Sequence, residues 1–442
     1  MTKDAINFSI EGTLKKLGID ALNEMQIATI DACKKKSDIL LISPTGTGKT
    51  LAYLLPILER LKQGKNEVQA VILVPTRELA LQIESIVRKI KLSFSVCCCY
   101  GGHSVKIEKN SLTQNPDILI ATPGRLADHL NRGHVSLRKA TTLVIDEFDK
   151  SLELGFEEDM EYIMRQLSGV DKKILTSATE PEEIPAFTGI KKPIKLQFLT
   201  TTSDEKLLQL KFVKSPDRDK YQILHKLLCN LENEPVLVFC NHREAVERAS
   251  TFLTEKKIIH EYFHGGLEQV DREKTLAKLR NGSVRILIST DLASRGLDIP
   301  EIKYVVHLQL APNEESFIHR NGRTARMHAN GTSVIILHEG ETIPEYIQSK
   351  VEYLELTNQP NPAEPEWETL FIGKGRKDKM NKVDIVGFLS KKGNLNQEEI
   401  GLIEVKDFIS YVAVKRSKTK ALLSLISGEK IKGNKVKIQI AR

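Results

Sequence analysis

Along the first 350 residues, short apolar runs alternate with helix-length amphipathic stretches. The runs at 38–43, 70–75, 96–100, 117–121, 142–146, 173–177 and 194–198 form one series, and those at 235–240, 260–264, 285–289, 303–309 and 332–338 a second. Strands that are apolar throughout, rather than alternating, are buried on both faces. Helices between them supply the crossovers that parallel pairing requires. The polar stretch Thr200-Thr-Thr-Ser-Asp-Glu205 separates the series. The pattern predicts two α/β lobes of parallel sheet joined by a short hinge.

The pattern changes after Gln359-Pro-Asn-Pro-Ala-Glu-Pro-Glu366, where three prolines can continue neither a helix nor a central strand. An extended spacer is expected there. Beyond it the order is strand (Leu370 to Ile372), helix (Lys382 to Leu389), strand (Gly401 to Val405), strand (Tyr411 to Val414), helix (Lys418 to Ile426) and strand (Lys435 to Ile440). That βαββαβ order predicts a small α+β domain of the RRM-like, ferredoxin-like kind. The expected boundaries are 1–199 and 200–357 for the lobes, 358–367 for the linker and 368–442 for the tail.

Charge sharpens this division. The chain of 442 residues carries +7 overall, but residues 367–442 hold 17 Lys and Arg against 8 Asp and Glu. All of the positive excess therefore sits in the tail, as expected of a nucleic-acid-binding module on a near-neutral enzyme. No apolar run approaches the roughly 18 residues of a membrane span, and the N-terminus lacks the layout of a secretory signal, so a cytoplasmic protein is expected. Six cysteines make no disulfide framework. Cys97, Cys98 and Cys99 are consecutive in a strand and point alternately to opposite faces, which favours buried thiols over a metal site.

Chemistry is concentrated at the strand ends. Ser43-Pro-Thr45-Gly46-Thr47-Gly48-Lys49-Thr50 closes one apolar run and opens a helix. A strand, a Gly-rich turn and a helix N-terminus cradle phosphate with backbone N–H groups. Lys49 adds a cation, and the Thr50 hydroxyl can ligate Mg²⁺. About a hundred residues later a second strand ends in Asp146-Glu147, the acidic pair such a site needs for metal and water. Binding and hydrolysis of a nucleoside triphosphate follow.

Taken in order, these motifs resemble the DEAD-box RNA helicases over nearly all of residues 1–350. Gln26, with Phe8 upstream, is similar to the family's adenine-sensing motif, although Leu22 stands where the family favours Pro. The resemblance implies that Asp146 holds Mg²⁺ and Glu147 orients the attacking water. Phe148 replaces the usual Ala, so its side chain is expected to point into the sheet–helix interface. Asp149 is expected to bond Ser177 or Thr179, coupling the ATP state to the lobes. In His319-Arg320-Asn-Gly-Arg323-Thr-Ala-Arg326, Arg323 and Arg326 match the family's arginine fingers, and His319 and Arg320 join the coupling set. Guanidinium forks answer the charge that phosphoryl transfer places on the γ-oxygens. Asp298 matches the ribose contact. Fingers on one lobe and a phosphate loop on the other imply catalysis on closure.

The resemblance places RNA at Pro75-Thr76-Arg77, Gly101-Gly102, Thr122-Pro-Gly124-Arg125, Gln269 with Arg272, and Thr290. These residue types bind phosphate and read no base edges, which predicts sequence-neutral binding of one strand. Residues 370–442 resemble the RNA-binding domain of the DbpA branch, which docks structured large-subunit ribosomal RNA. Tyr411 lacks the aromatic neighbours of an RRM stacking strand. Lys377, Lys379, Lys415, Arg416, Lys432 and Lys435 are therefore expected to hold the backbone of a folded RNA. The function so implied is a monomeric ATP- and Mg²⁺-dependent RNA helicase acting locally in ribosome assembly. An ATP-gated RNA clamp would use the same residues.

Overall fold

The computed structural model describes residues 8–198, 208–291, 299, 302–324, 331–347 and 351–442, less 45, 92, 103–104, 182 and 232. Thr45, Asp298 and Arg326 from the sequence reading therefore lie outside the described residues. The chain divides into two compact units, the first holding the described residues up to 198 and the second those from 208 onward.

In the first unit seven strands form one parallel sheet: β1 (Ile39–Ile42), β2 (Ala70–Leu73), β3 (Val96–Cys99), β4 (Ile118–Ala121), β5 (Thr142–Ile145), β6 (Lys172–Ser177) and β7 (Ile194–Gln197). Their order is β3-β4-β2-β5-β6-β1-β7. Alternate side chains serve two cores. Ile39 and Leu41 pack with Tyr53, Leu54 and Ile83 on one face, while Leu40 and Ile42 share the other face's core with Leu126, Phe148 and Ile163. This two-sided burial is why the sequence shows runs rather than alternation.

The second unit opens with a parallel sheet of six strands: β8 (Leu208–Ser215), β9 (Val236–Cys240), β10 (Glu261–Phe263), β11 (Ile286–Thr290), β12 (Tyr304–His307) and β13 (Gly331–His338). The order is β10-β11-β9-β12-β13-β8. β8 is missing from the sequence reading. Its Gln and Lys residues interrupt the apolar run, as an edge strand tolerates, yet it pairs with β13 over eight residues.

The tail belongs to the same unit. Its antiparallel sheet has β14 (Trp367–Ile372), β15 (Ile400–Val405), β16 (Ser410–Lys415) and β19 (Ile438–Ile440) in the order β15-β16-β14-β19. A hairpin of β17 (Lys430–Ile431) and β18 (Asn434–Lys435) precedes the last strand, which is shorter than the sequence pattern suggests. Helices Lys382–Lys391 and Arg416–Leu425 cover one face around Leu370, Ile385, Val412 and Leu422.

The other face lies against the helix Gln269–Arg280 of the second lobe. Ala277 packs with Phe371, Tyr411 and Ala441. Arg280 grips Glu404 through Nε and Nη2 at 2.6 and 2.7 Å, and the Asn281 amide donates to Thr369 Oγ1 at 2.9 Å. Burial would raise the Glu404 carboxyl, but Arg280 and Lys406 hold it below its ordinary value. The proline-rich linker carries no helix or strand and is bonded along its length. Asn361 donates to Lys256 O at 2.8 Å, Arg285 to Ala363 O, and Arg416 Nε to Pro365 O at 2.7 Å.

Candidate functional site

The phosphate-type loop leaves β1 at Ser43, whose N–H donates to Ser177 O on β6 at 3.1 Å. The helix Lys49–Arg60 starts from Gly48 at φ +91, and a Cβ there would sit 2.6 Å from Gln26 Nε2. Only glycine satisfies both conditions. Ser43 occupies the first Gly position of the usual loop pattern, and its hydroxyl bonds Thr47 Oγ1 at 2.8 Å. Lys49 is 7% exposed. Its ammonium donates to Ser43 O, to Pro44 O at 3.3 Å and to Ser177 O at 3.4 Å, so carbonyls hold the cation at the turn.

Gln26 braces the loop from the side. Its Nε2 donates to Gly48 O at 3.3 Å and its Oε1 accepts from Asn23 N–H at 3.0 Å, while Asn23 Nδ2 reaches Thr47 O at 3.0 Å. A carboxamide has two donors and two acceptor lone pairs, so each end keeps one further capacity for a ligand. Phe8 is partly buried against Leu14, Ile30, Leu51 and Leu55.

On the neighbouring strands, Asp146 ends β5 with both oxygens fixed. Tyr53 O–H donates to Oδ2 at 2.7 Å, and Thr176 Oγ1 donates to Oδ1. Burial and then the Asp146 charge push the Tyr53 hydroxyl well above its ordinary pKa, so it remains a donor. Glu147 sits at φ +48, a strained conformation for a side-chain-bearing residue, and its N–H donates to Asp146 Oδ1 at 3.1 Å. Phe148 is fully buried beside Leu126 and Met160, pointing into the sheet–helix interface as expected. Asp149 Oδ2 accepts from Ala178 N–H at 3.1 Å and Thr179 Oγ1 at 3.4 Å. Ser177 Oγ turns instead to Thr179 O at 2.5 Å, so of the two expected partners Asp149 has Thr179. The donors on these corners, the Asp146 carboxylate and the Thr50 hydroxyl, are hard oxygens, a set that fits Mg²⁺.

The RNA-type loops occupy the other half of the same sheet edge. β2, β4 and β3 are neighbours, and their C-terminal ends carry Pro75-Thr76-Arg77, Thr122 to Arg125, and Gly101-Gly102 respectively. Thr76 Oγ1 caps its helix by accepting from Leu79 N–H at 3.3 Å. Arg77 lies over the glycine pair, and a Cβ on Gly102 would come 2.3 Å from its Nη1. Beneath Arg125 is a buried bracket: Glu108 pairs with Arg125 at 2.9 Å, accepts from Tyr100 N–H at 3.1 Å and bonds His129 Nε2 at 2.8 Å. Gly124 faces Asp159 Oδ2 at what would be 3.2 Å from a Cβ.

In the second unit, Thr290 ends β11, and Gln269 and Arg272 open the helix after the adjacent β10. The Arg272 guanidinium stacks 5.0 Å over Phe263. Arg323 is buried at the end of the helix Glu314–Asn321, and His319 on that helix is 3.6 Å from Glu315. Arg320, which the motif resemblance places in the coupling set, is anchored within the second unit. It is fully buried, forks onto Asp291 at 2.6 and 2.7 Å, and donates to Asn241 Oδ1 and Gln309 O at 2.7 Å each. These bonds tie the ends of β9, β11 and β12 together, so Arg320 positions the second lobe's own loops. Tail cations also divide. Lys415 pairs with Glu366 over the Trp367 ring, and Arg416 donates to Pro365 O, Trp367 O and Glu368, all at one end of the sheet. At the other end Lys377 N–H donates to Asp407 O at 2.8 Å, and Lys432 Nζ donates to Lys379 O at 3.1 Å and pairs with Asp384 at 2.8 Å.

Residues 23–187 match the DEAD/DEAH box helicase family, 219–328 the helicase conserved C-terminal domain and 369–440 the DbpA RNA binding domain. Over 441 residues the chain is 33% identical to the ATP-dependent RNA helicase DbpA of Escherichia coli, covering 97% of this chain and 96% of that one. The chain belongs to the DEAD/DEAH box helicases. A second relative, the ATP-dependent RNA helicase DbpA of Bacillus subtilis, is 29% identical, with 99% and 98% covered. Among solved structures, S. cerevisiae Dbp5 bound to RNA and ADP BeF3 superposes with a TM-score of 0.69 at 21% identity, covering 79% of this chain and 95% of that one. That likeness supports the two-lobed parallel-sheet fold. As a DEAD-box helicase the chain is an ATP-hydrolysing enzyme that acts on RNA, and its tail is a DbpA-type RNA-binding domain. Tyr53, Thr176, Asn23 and Glu108 escaped the sequence reading. Each is an ordinary residue whose importance comes from a partner many positions away.

Proposed function

We propose that this DEAD-box helicase separates short RNA duplexes locally and without translocation, acting on structured large-subunit ribosomal RNA during ribosome assembly. The observation that carries this reading is the split sheet edge of the first unit. Adjacent strands β1, β6 and β5 present the Lys49 loop, Thr179 and the Asp146–Glu147 pair, while β2, β4 and β3 present phosphate-binding loops. That arrangement supports reading a triphosphate site and an RNA site side by side on one sheet. Lys49 and the loop N–H groups hold the phosphates, Glu147 orients the attacking water, and Gln26 with Phe8 takes the adenine. Mg²⁺, held through Asp146 and Thr50, would neutralise charge on the phosphates. Arg323 and Arg326 from the second lobe complete the site, a contribution of roughly 10³–10⁵ in rate.

Thr76, Arg77, Arg125, Gln269, Arg272 and Thr290 grip one strand by its backbone, so binding is sequence-neutral. Stacked steps are worth about 1.4 kcal/mol each, which puts a handful of pairs within reach of one ATP-driven cycle. The tail supplies the address, with the lysines around 374–379 and 430–437 holding folded RNA. The active species is a cytoplasmic monomer. Strand displacement measured beside RNA-stimulated phosphate release tests the reading. The expected result is displacement of short duplexes with a yield that falls steeply with duplex length. RNA-dependent ATP turnover without any displacement would identify an ATP-gated clamp instead.

A further inference from the structure

The tail's sheet cannot offer bases its open face. Phe371 and Tyr411 meet edge-on there, with ring centroids 6.1 Å apart, and the helix Gln269–Arg280 covers them. Tyr411 is 1% exposed, and its hydroxyl has no hydrogen-bond partner among the described residues. An RNA-binding sheet of this type ordinarily stacks bases on such aromatics. Here the chain itself occupies the platform, so any stacking contact has to come from elsewhere.

One other aromatic of the tail is half exposed, and it stands among cations. Phe408, 55% exposed, lies in the turn between β15 and β16. The turn is closed by Lys406 N–H to Ile409 O at 2.9 Å. It is zipped to the segment after β14 by Arg376 N–H to Lys406 O and Lys377 N–H to Asp407 O, both 2.8 Å. The β17–β18 hairpin joins the same end, where Gly373 N–H reaches Lys437 O at 2.9 Å and Lys432 Nζ reaches Lys379 O at 3.1 Å. Together 373–379, 406–409 and 430–437 contain nine Lys or Arg against two Asp. An exposed phenyl ring on a turn bonded to such basic segments, even with Lys374, Arg376 and Lys432 paired to Asp378, Asp407 and Asp384, suits a π-stacked base with phosphates beside it better than an apolar partner.

The direction of the covering helix adds a second argument. Its C-terminal neighbour Asn281 lies on Thr369, and Ala277 lies on Tyr411, nearer the Phe408 end of the sheet. Continuing toward its N-terminus by about 12 Å brings Gln269 and Arg272, the residues assigned to the gripped strand. The basic end of the tail and the RNA-gripping end of that helix therefore face the same way.

We propose that Phe408 is a stacking platform for an unpaired RNA base, with Arg376, Lys377 and Lys379 taking the adjoining phosphates. This inference rests on the tail being the RNA-holding domain, and it names the contact that distinguishes loop RNA from duplex. The test uses the full chain and two probes of equal length, a stem–loop RNA with unpaired purines and a blunt duplex. Phe408→Ala should weaken stem–loop binding roughly 5- to 100-fold with an unchanged salt slope, since no phosphate contact is lost, and should leave duplex binding as it was. Phe408→Trp should restore affinity, and in a Trp367→Phe background its indole emission should be quenched by the stem–loop. Lys377→Glu with Lys379→Glu should weaken both probes and flatten the salt slope. Wild-type stem–loop affinity in Phe408→Ala, or equal loss for both probes, would overturn the inference alone. Wild-type binding of both probes by the lysine variant would overturn the reading beneath it.

Discussion

Two strand–loop–helix corners occupy the same place in their sheets, β1 beside β6 in the first unit and β8 beside β13 in the second. Each delivers a buried lysine to a helix start, Lys49 at 7% exposure and Lys220 at 3%. The loops differ. Lys49 follows Gly46 and Gly48, both at positive φ, and its ammonium is met by carbonyl oxygens. Lys220 follows Asp217-Arg218-Asp219, takes the left-handed position itself at φ +60, donates to Ile336 O at 2.8 Å and pairs with Glu341 at 2.5 Å. Burial pulls the Lys220 pKa down against the opposing pull of Glu341. A repeated fold and a repeated lysine do not make a second triphosphate site. The cradle needs glycine backbone, and the second corner has instead a side-chain-bearing residue at the left-handed position and a carboxylate beside its ammonium.

That contrast can be broken by substitution. Lys49→Ala should lower RNA-stimulated phosphate release by about 10²–10³-fold while the first unit stays folded, since it removes a charge from the transition state. Gly48→Ala forces a Cβ into a left-handed position, at about 1–2 kcal/mol, and against Gln26. Nucleotide affinity should then fall roughly tenfold, and an unchanged Kd would show that the loop's shape is dispensable. Lys220→Met should keep ATP turnover within about twofold yet destabilise the second unit by roughly 1–3 kcal/mol, read by denaturant midpoint. Lost turnover at full stability would make the β8 corner a phosphate site after all.

The smallest effect concerns acid. His307 is fully buried, and burial, then the Arg320 charge, push its pKa down to about 3. Arg320 donates toward Nδ1 at 3.4 Å, which assigns the proton to Nε2, facing Asn321 and Ser333. A histidine depressed in the folded state stabilises fully above its ordinary pKa and loses that contribution as pH falls through the range below. The second unit should therefore lose on the order of 1 kcal/mol between about pH 7 and about pH 5.5, and His307→Gln should flatten that slope.

The phosphate loop and the acid pair were legible because each is a contiguous string at the end of an apolar run, so local spacing carries the chemistry. Most strands were legible for the same reason. β8 was not, because an edge strand needs no unbroken apolar run. Tyr53 and Thr176 were not, because their partner Asp146 lies 93 and 30 positions away. Arg320 is placed in the coupling set by its neighbours in the motif, and only the structure shows its bonds to Asp291, Asn241, Gln309 and His307. The prolines of the linker predict a spacer, and only the structure shows its Ala363 carbonyl and Asn361 amide bonded to the second lobe.

Residue order alone established two parallel-sheet lobes, a basic α+β tail, a triphosphate loop and the family, since periodicity and short motifs are properties of neighbouring positions. Three-dimensional packing added the strand order that puts the Lys49 and Asp146 corners on one half of an edge and the loops after β2, β3 and β4 on the other. It also muted Lys220 and covered Tyr411. These outcomes depend on which distant segments come to lie against each other, and burial then sets what charge and aromatic surface remain available to a ligand.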